Sequence, residues 1–116
     1  MMPEKQYNLD YLDSISGGDQ EFIIDMISTF LVNVPEELAK IQKFIETENW
    51  TKAGEESHKF ASNLLFLNIE NLKMIAIEIE EKGMGLIDTE TIPELFIELK
   101  NGCIQVIEEL KIDFNL

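Results

Sequence analysis

Residues 50–67 read Trp50-Thr51-Lys52-Ala53-Gly54-Glu55-Glu56-Ser57-His58-Lys59-Phe60-Ala61-Ser62-Asn63-Leu64-Leu65-Phe66-Leu67. Trp50, Ala53, Ser57, Phe60, Leu64 and Leu67 recur at steps of three and four, which is the period of a helix with one buried stripe. His58, the single histidine of the chain, lies beside that stripe. Its neighbours on the same face are Gly54, Ala61 and Ser62. All three are small, so the imidazole is expected to stand in a clearing. A glycine inside a helix costs about 1 kcal/mol relative to alanine. Gly54 therefore calls for close approach by another body, either a neighbouring helix or a partner protein.

Outward from this stretch the same period persists. Tyr7 to Ile15 reads as a short first helix with Leu9, Leu12 and Ile15 on one face, ended by Gly17-Gly18. Asp19 is placed to cap a second helix over about 20–33, with Phe22, Ile23, Met26, Ile27, Phe30 and Leu31 at helical spacing. Pro35 is expected to stop that helix and open a third, with Leu38, Ile41, Phe44 and Ile45 inward. Asn49 caps the opening stretch, read as a helix over about 50–66, and Asn68 breaks it. A fifth helix over about 69–82 carries Leu72, Ile75, Ala76 and Ile79, with Gly83 and Gly85 as its end. Thr91-x-x-Glu94 matches a capping box for a last helix bearing Phe96, Leu99, Cys103, Val106 and Leu110. No run alternates strictly, so no strand is expected.

These patterns predict an all-α protein: an antiparallel four-helix bundle, up-down-up-down, with a short N-terminal capping helix and an additional C-terminal helix. The expected body is the second to fifth helices. With 116 residues, six glycines and three prolines, the chain is expected to be one domain over residues 1–116.

Charge narrows the function. The formal net charge is -14, and all nine basic residues are lysine. Nucleic-acid affinity rests on neutralising phosphates, and base reading leans on arginine, so this composition argues against nucleic acid. It argues equally against an anionic membrane surface. One cysteine, Cys103, cannot form an internal disulfide, and no run approaches the roughly 18 apolar residues of a membrane span. Met1 to Gln6 lacks a basic segment leading into an apolar run, so a cytoplasmic protein is expected.

Chemistry is narrowed by elimination. A lone histidine on a helix is most often a surface or packing residue. Glu55-x-x-His58 matches one element of a di-iron bundle, but such a site needs two, and there is no second histidine. Zinc fails for the same reason. Ser57 or Ser62 beside His58 on one helix gives no reason for a triad and its cleft. Gly17-Gly18 lacks the Gly-Lys-Ser/Thr of a phosphate loop, and Gly83-Met84-Gly85 follows a helix, not a strand. There is no sign of an autonomous enzyme. What remains is a histidine that reacts with something a partner brings. An ordinary imidazole titrates near pH 6.5, so around neutrality it offers a nitrogen lone pair as nucleophile.

Several residues together carry a family resemblance. Gly17-Gly18-Asp19-x-Glu21-Phe22 resembles the GGD-x-EF/L entry to the second helix of histidine-containing phosphotransfer (HPt) domains. Phe30 with Pro35 fits the F-x4-P spacing. Leu38, the interval from Trp50 to His58, His58-Lys59-Phe60, Leu72 and Ile79-Glu80 follow in family order. The resemblance covers most of the chain. It implies a four-helix bundle with His58 as exposed phosphoacceptor. His58 Nε2 would take a phosphoryl group from an aspartate of a response-regulator receiver domain and pass it to another receiver. A hybrid sensor histidine kinase is the implied donor. The implied Mg2+ sits in the receiver, with no cofactor in this chain, and a monomer suffices.

Gly54, Ala61, Ser62 and Leu65 are the expected docking floor, and Lys59, Ser62 and Asn63 the candidate polar contacts. Glu55, one turn back, is either a group that orients Nδ1 or, as is usual for such a residue, a solvated glutamate, and the run Glu78, Glu80, Glu81 reads as a solvated face. The family's lysine three residues after the histidine is Ala61 here, the glycine at plus four is Ser62, and a later glycine is Asn68. Ala61 keeps an alternative open: an adaptor that binds receivers without transfer.

Overall fold

A computed structural model describes residues 7–116, which form five helices and no strand. They are α1 (Asp10–Ser16), α2 (Gln20–Glu46), α3 (Trp50–Leu65), α4 (Glu70–Gly85) and α5 (Ile92–Asp113). A single 3₁₀ turn, Thr89–Thr91, precedes α5. The reading of Met1 to Gln6 as leader-free concerns residues outside those described. The four long helices pack in a ring, α2 on α3, α3 on α4, α4 on α5 and α5 on α2, while α1 lies against α2. One apolar core runs through all of them.

The expected break at Pro35 is absent, and α2 continues through it for 27 residues. Two facts account for this. The buried positions Ile23, Ile27, Phe30, Val34, Leu38, Ile41 and Ile45 keep one helical register across the proline, so ending the helix would unseat half of that stripe. Pro35 itself is exposed. The Leu31 carbonyl that loses its N–H partner therefore lies on the solvent side, where water can replace the bond. The predicted second and third helices are thus one. The C-terminal helix is not an addition to the bundle but its fourth long member. Asp19 caps α2 as expected, accepting from the Glu21 and Phe22 amides.

Between α3 and α4 the backbones approach closely. A β-carbon at Gly54 would lie 2.9 Å from Met84 Cγ and 3.0 Å from the Glu80 carbonyl oxygen. One at Gly83 would collide with the Trp50 carbonyl oxygen and sit 3.1 Å from Gly54 Cα. Gly83 is therefore not a helix stop. It lies inside α4, which runs on to Gly85 and ends at Leu86 in the left-handed conformation, φ 53°. At the other end of the pair, Asn68 adopts φ 54° and turns the chain from α3 into α4. Its side chain donates to Asn8 Oδ1 at 2.6 Å, and the Asn8 amide donates to the Leu67 carbonyl, which ties the N-terminal segment down.

The expected capping box at Thr91 does not form. The Thr91 hydroxyl donates to the Asp88 carbonyl and accepts from Lys82 Nζ at 2.8 Å instead, linking the turn to α4. Cys103 is buried on α5, and burial pushes its thiol up to about 12, so thiolate is scarce near neutrality. Among the described residues no helix is long and apolar enough to cross a membrane.

Gly83→Ala is expected to cost about 1–3 kcal/mol of stability, because the methyl meets backbone that cannot move aside without parting α3 from α4. Urea unfolding followed by circular dichroism measures it. Gly85→Ala, whose β-carbon meets only Ile87 side-chain atoms at 3.6 Å or more, serves as the comparison.

Candidate functional site

Each of the two paired helices carries a buried row and a second row one position further round. On α3 the buried row is Ala53, Ser57, Phe60 and Leu64, and the next is Gly54, His58, Ala61 and Leu65. On α4 the buried row is Leu72, Ala76, Ile79 and Gly83, and the next is Lys73, Ile77, Glu80 and Met84. The glycine crossing brings these second rows to the two banks of one surface groove.

His58 stands at the middle of that boundary with its side chain 71% exposed. Its Nδ1 lies 2.8 Å from both Oε1 and Oε2 of Glu80. A carboxylate can only accept, so Nδ1 carries the hydrogen and donates it. In the neutral ring the lone pair is then left on Nε2. Glu80 is itself only 19% exposed, so its carboxylate is held against the helix pair. The bond works in both directions. It favours the Nδ1–H tautomer, and it biases the ring toward this outward orientation.

Two open hollows flank the ring. One, of about 300 Å³, is lined by His58, Ala61, Ser62, Leu65, Lys73, Ile77 and Glu80. The other, of about 400 Å³, has His58 and Glu80 as a shared wall with Glu55, Lys59 and Met84. A smaller, more enclosed cavity between α2 and the end of α3 is lined by Met26, Phe30, Asn63 and Phe66 among others, and does not include His58.

The residues singled out from sequence are thus divided. Ala61, Ser62 and Leu65 share the hollow with His58, Ala61 as buried floor and Leu65 as exposed rim. Lys59 borders the opposite hollow and pairs with Glu56 at 3.7 Å, one turn back. Gly54 is buried beneath α4, so the body that approaches it is the neighbouring helix and its surface is not open to a partner. Asn63 points away from His58 and donates to Glu37 on α2. Burial raises the Glu37 carboxyl above its ordinary value, and the Asn63 bond opposes that rise.

Glu55 is not the partner of Nδ1. That role falls to Glu80, which sequence reading assigned to a solvated face. A signal for it does exist. Glu80 follows buried Ile79 as His58 follows buried Ser57, so the two belong to matching rows. Using that signal requires knowing that α3 and α4 pack face to face, which period alone does not say. Lys73 was missed for the same reason. Among the described residues, no group of three or more His, Cys, Asp or Glu side chains is placed to hold a metal ion.

The geometry predicts ready chemical access to Nε2. Diethyl pyrocarbonate, which acylates unprotonated imidazole nitrogen, is expected to modify native His58 at close to the rate of N-acetylhistidine. Mass spectrometry of the native protein reads the modification. A rate tenfold or more below the free amino acid's would mean that the ring is covered.

A family model described as Hpt domain matches residues 25–110. No curated protein and no solved structure matches the chain.

Proposed function

Since the chain belongs to the Hpt family, whose domains work in two-component phosphorelays, we propose that His58 is its phosphoacceptor and that the protein carries phosphoryl groups between receiver domains. One observation supports this above the others: an exposed ring on a long helix, with Nδ1 bonded to Glu80 so that the lone pair falls on Nε2. The step is an in-line displacement. The Nε2 lone pair attacks the phosphorus of a receiver aspartyl phosphate and forms the N–P bond. The P–O bond to the aspartate breaks, and its electron pair leaves with the carboxylate. The ring becomes positively charged, and Glu80 beside Nδ1–H offsets that charge. In the return step an aspartate carboxylate attacks phosphorus, and the N–P electrons fall back to Nε2.

A receiver would supply the Mg2+, whose positive charge would offset the negative charge of the phosphoryl group. This chain supplies the nucleophile and the surface. Ala61, Leu65 and Ile77 on one side of His58 and Met84 on the other give a receiver an apolar seat around a polar centre. The protein is a carrier and not an enzyme in its own right. A hybrid sensor histidine kinase is the donor class at the head of such a relay. The same reading takes residues 1–116 as a single domain, with the four long helices running up, down, up and down, acting as a monomer in the cytoplasm.

Ala61, standing where the family has lysine, favours a second reading: an adaptor that docks receivers without accepting phosphate. One experiment separates the two. Receivers from the same cell are charged with acetyl phosphate and mixed with the protein. Wild type is expected to gain acid-labile, alkali-stable phosphate, and His58→Gln to gain none. Glu80→Ala is expected to slow labelling about fivefold, the size of one lost hydrogen bond near 1 kcal/mol. Receiver binding by wild type without labelling would establish the adaptor.

A further inference from the structure

A phosphoryl group on His58 adds about two negative charges to a chain of formal net charge -14, beside Glu80 and within reach of Glu55 across the adjoining hollow. Like charges this close disfavour the dianion unless a cation answers them. The helix that carries His58 offers little. Position 61 is alanine, and Lys59 borders the other hollow and is paired with Glu56. Elsewhere, Lys82 is held by Glu78 at 3.1 Å and by Thr91. Lys52 lies over the Phe44 ring, and Lys100 donates to Gln42.

Lys73 differs from all of these. It projects from α4 into the same hollow as His58, Ala61 and Ser62, and is the one lysine among that hollow's lining residues. Lys73 and Glu80 are seven residues apart on α4, roughly 10 Å along the axis. Glu80 marks the level of His58. A flexible lysine stem and a phosphoryl group standing off Nε2 extend into that interval from opposite ends. Ala61, lacking a long side chain, leaves the space between them open, and Ser62 adds a hydroxyl to its rim.

We propose that Lys73 of α4 is the phosphoryl-contacting cation of this protein, reaching across the helix pair to the group on His58 over the gap that Ala61 leaves. This rests on His58 as phosphoacceptor, but its test need not depend on any receiver. The contact exists only in the phosphorylated state, so it favours that state and draws the phosphoryl equilibrium toward His58. It also favours the dianion over the monoanion, which lowers the phosphoryl group's own second ionisation.

Potassium phosphoramidate phosphorylates accessible histidine directly and makes phospho-His58 available without a partner. Phosphorus NMR titration of phosphorylated wild type, Lys73→Ala, Lys73→Arg and Lys59→Ala then reads the second ionisation of the phosphoryl group. Lys73→Ala is expected to raise it, Lys73→Arg to restore it, and Lys59→Ala to leave it at the wild-type value. With a charged receiver, Lys73→Ala is expected to lower the equilibrium ratio of phospho-His58 to phospho-receiver about two- to fivefold, the range of a partly exposed ion pair. Circular dichroism melting checks that the variants fold alike. Titration curves that coincide for wild type and Lys73→Ala would overturn the proposal, as would an equal shift from Lys59→Ala. Failure of the carrier reading looks different: phosphoramidate labels His58, the titration still separates the variants, and no receiver donates.

Discussion

The crossing of α3 over α4 at Gly54 and Gly83 sets the spacing on which everything at the surface depends. With a side chain at either position the helices would stand further apart, since the β-carbons would meet backbone atoms of the facing helix. At the observed separation, the rows next to the buried stripes face each other as banks of one groove. His58 and Glu80 then meet at 2.8 Å without either leaving its helix. The site is a by-product of close helix packing, and its precision comes from two regular elements instead of a loop.

That origin explains why the ring can be both exposed and hydrogen-bonded. A surface histidine ordinarily samples several rotamers. Here the half-buried Glu80 carboxylate holds Nδ1, and the small residue Ala61 leaves the far side of the ring open. On the proposed reading the chain contributes a positioned nucleophile and an approachable surface, and leaves charge neutralisation largely to other groups. Its strongly acidic composition is consistent with that division: the protein has few cations to spend, and the lysine in the hollow beside His58 comes from the opposite bank.

Much of the fold was legible because burial imposes period. The stripe of α3 was read residue by residue, and Asp19, Gly17, Asn49 and Asn68 perform the cap and turn roles that their chemistry suggests. Pro35 misled because a proline is a local signal, whereas the register of Val34 and Leu38 across it is a tertiary one. Gly83 misled in the same way: a glycine can end a helix or admit a neighbour, and only the position of Trp50 and Gly54 decides. His58 was identified as the centre because it is unique and ringed by small residues. Its partner was not, since Glu80 among Glu78 and Glu81 looks like any solvated acid until α4 is laid against α3. Asn63 shows the converse error. Sequence proximity to His58 made it a candidate, but it lies on the far side of the helix, bonded to Glu37.

The chemistry of the site turns on the position of one proton. Long-range proton–nitrogen correlation NMR of the free protein, at a pH where the ring is neutral, reports which imidazole nitrogen of His58 carries hydrogen. The Nδ1–H tautomer is expected to dominate in wild type, with Nε2 showing the shift of an unprotonated nitrogen, and to lose that dominance in Glu80→Ala. A predominant Nε2–H tautomer in wild type would contradict the account, because the nitrogen assigned as nucleophile would then hold no free lone pair.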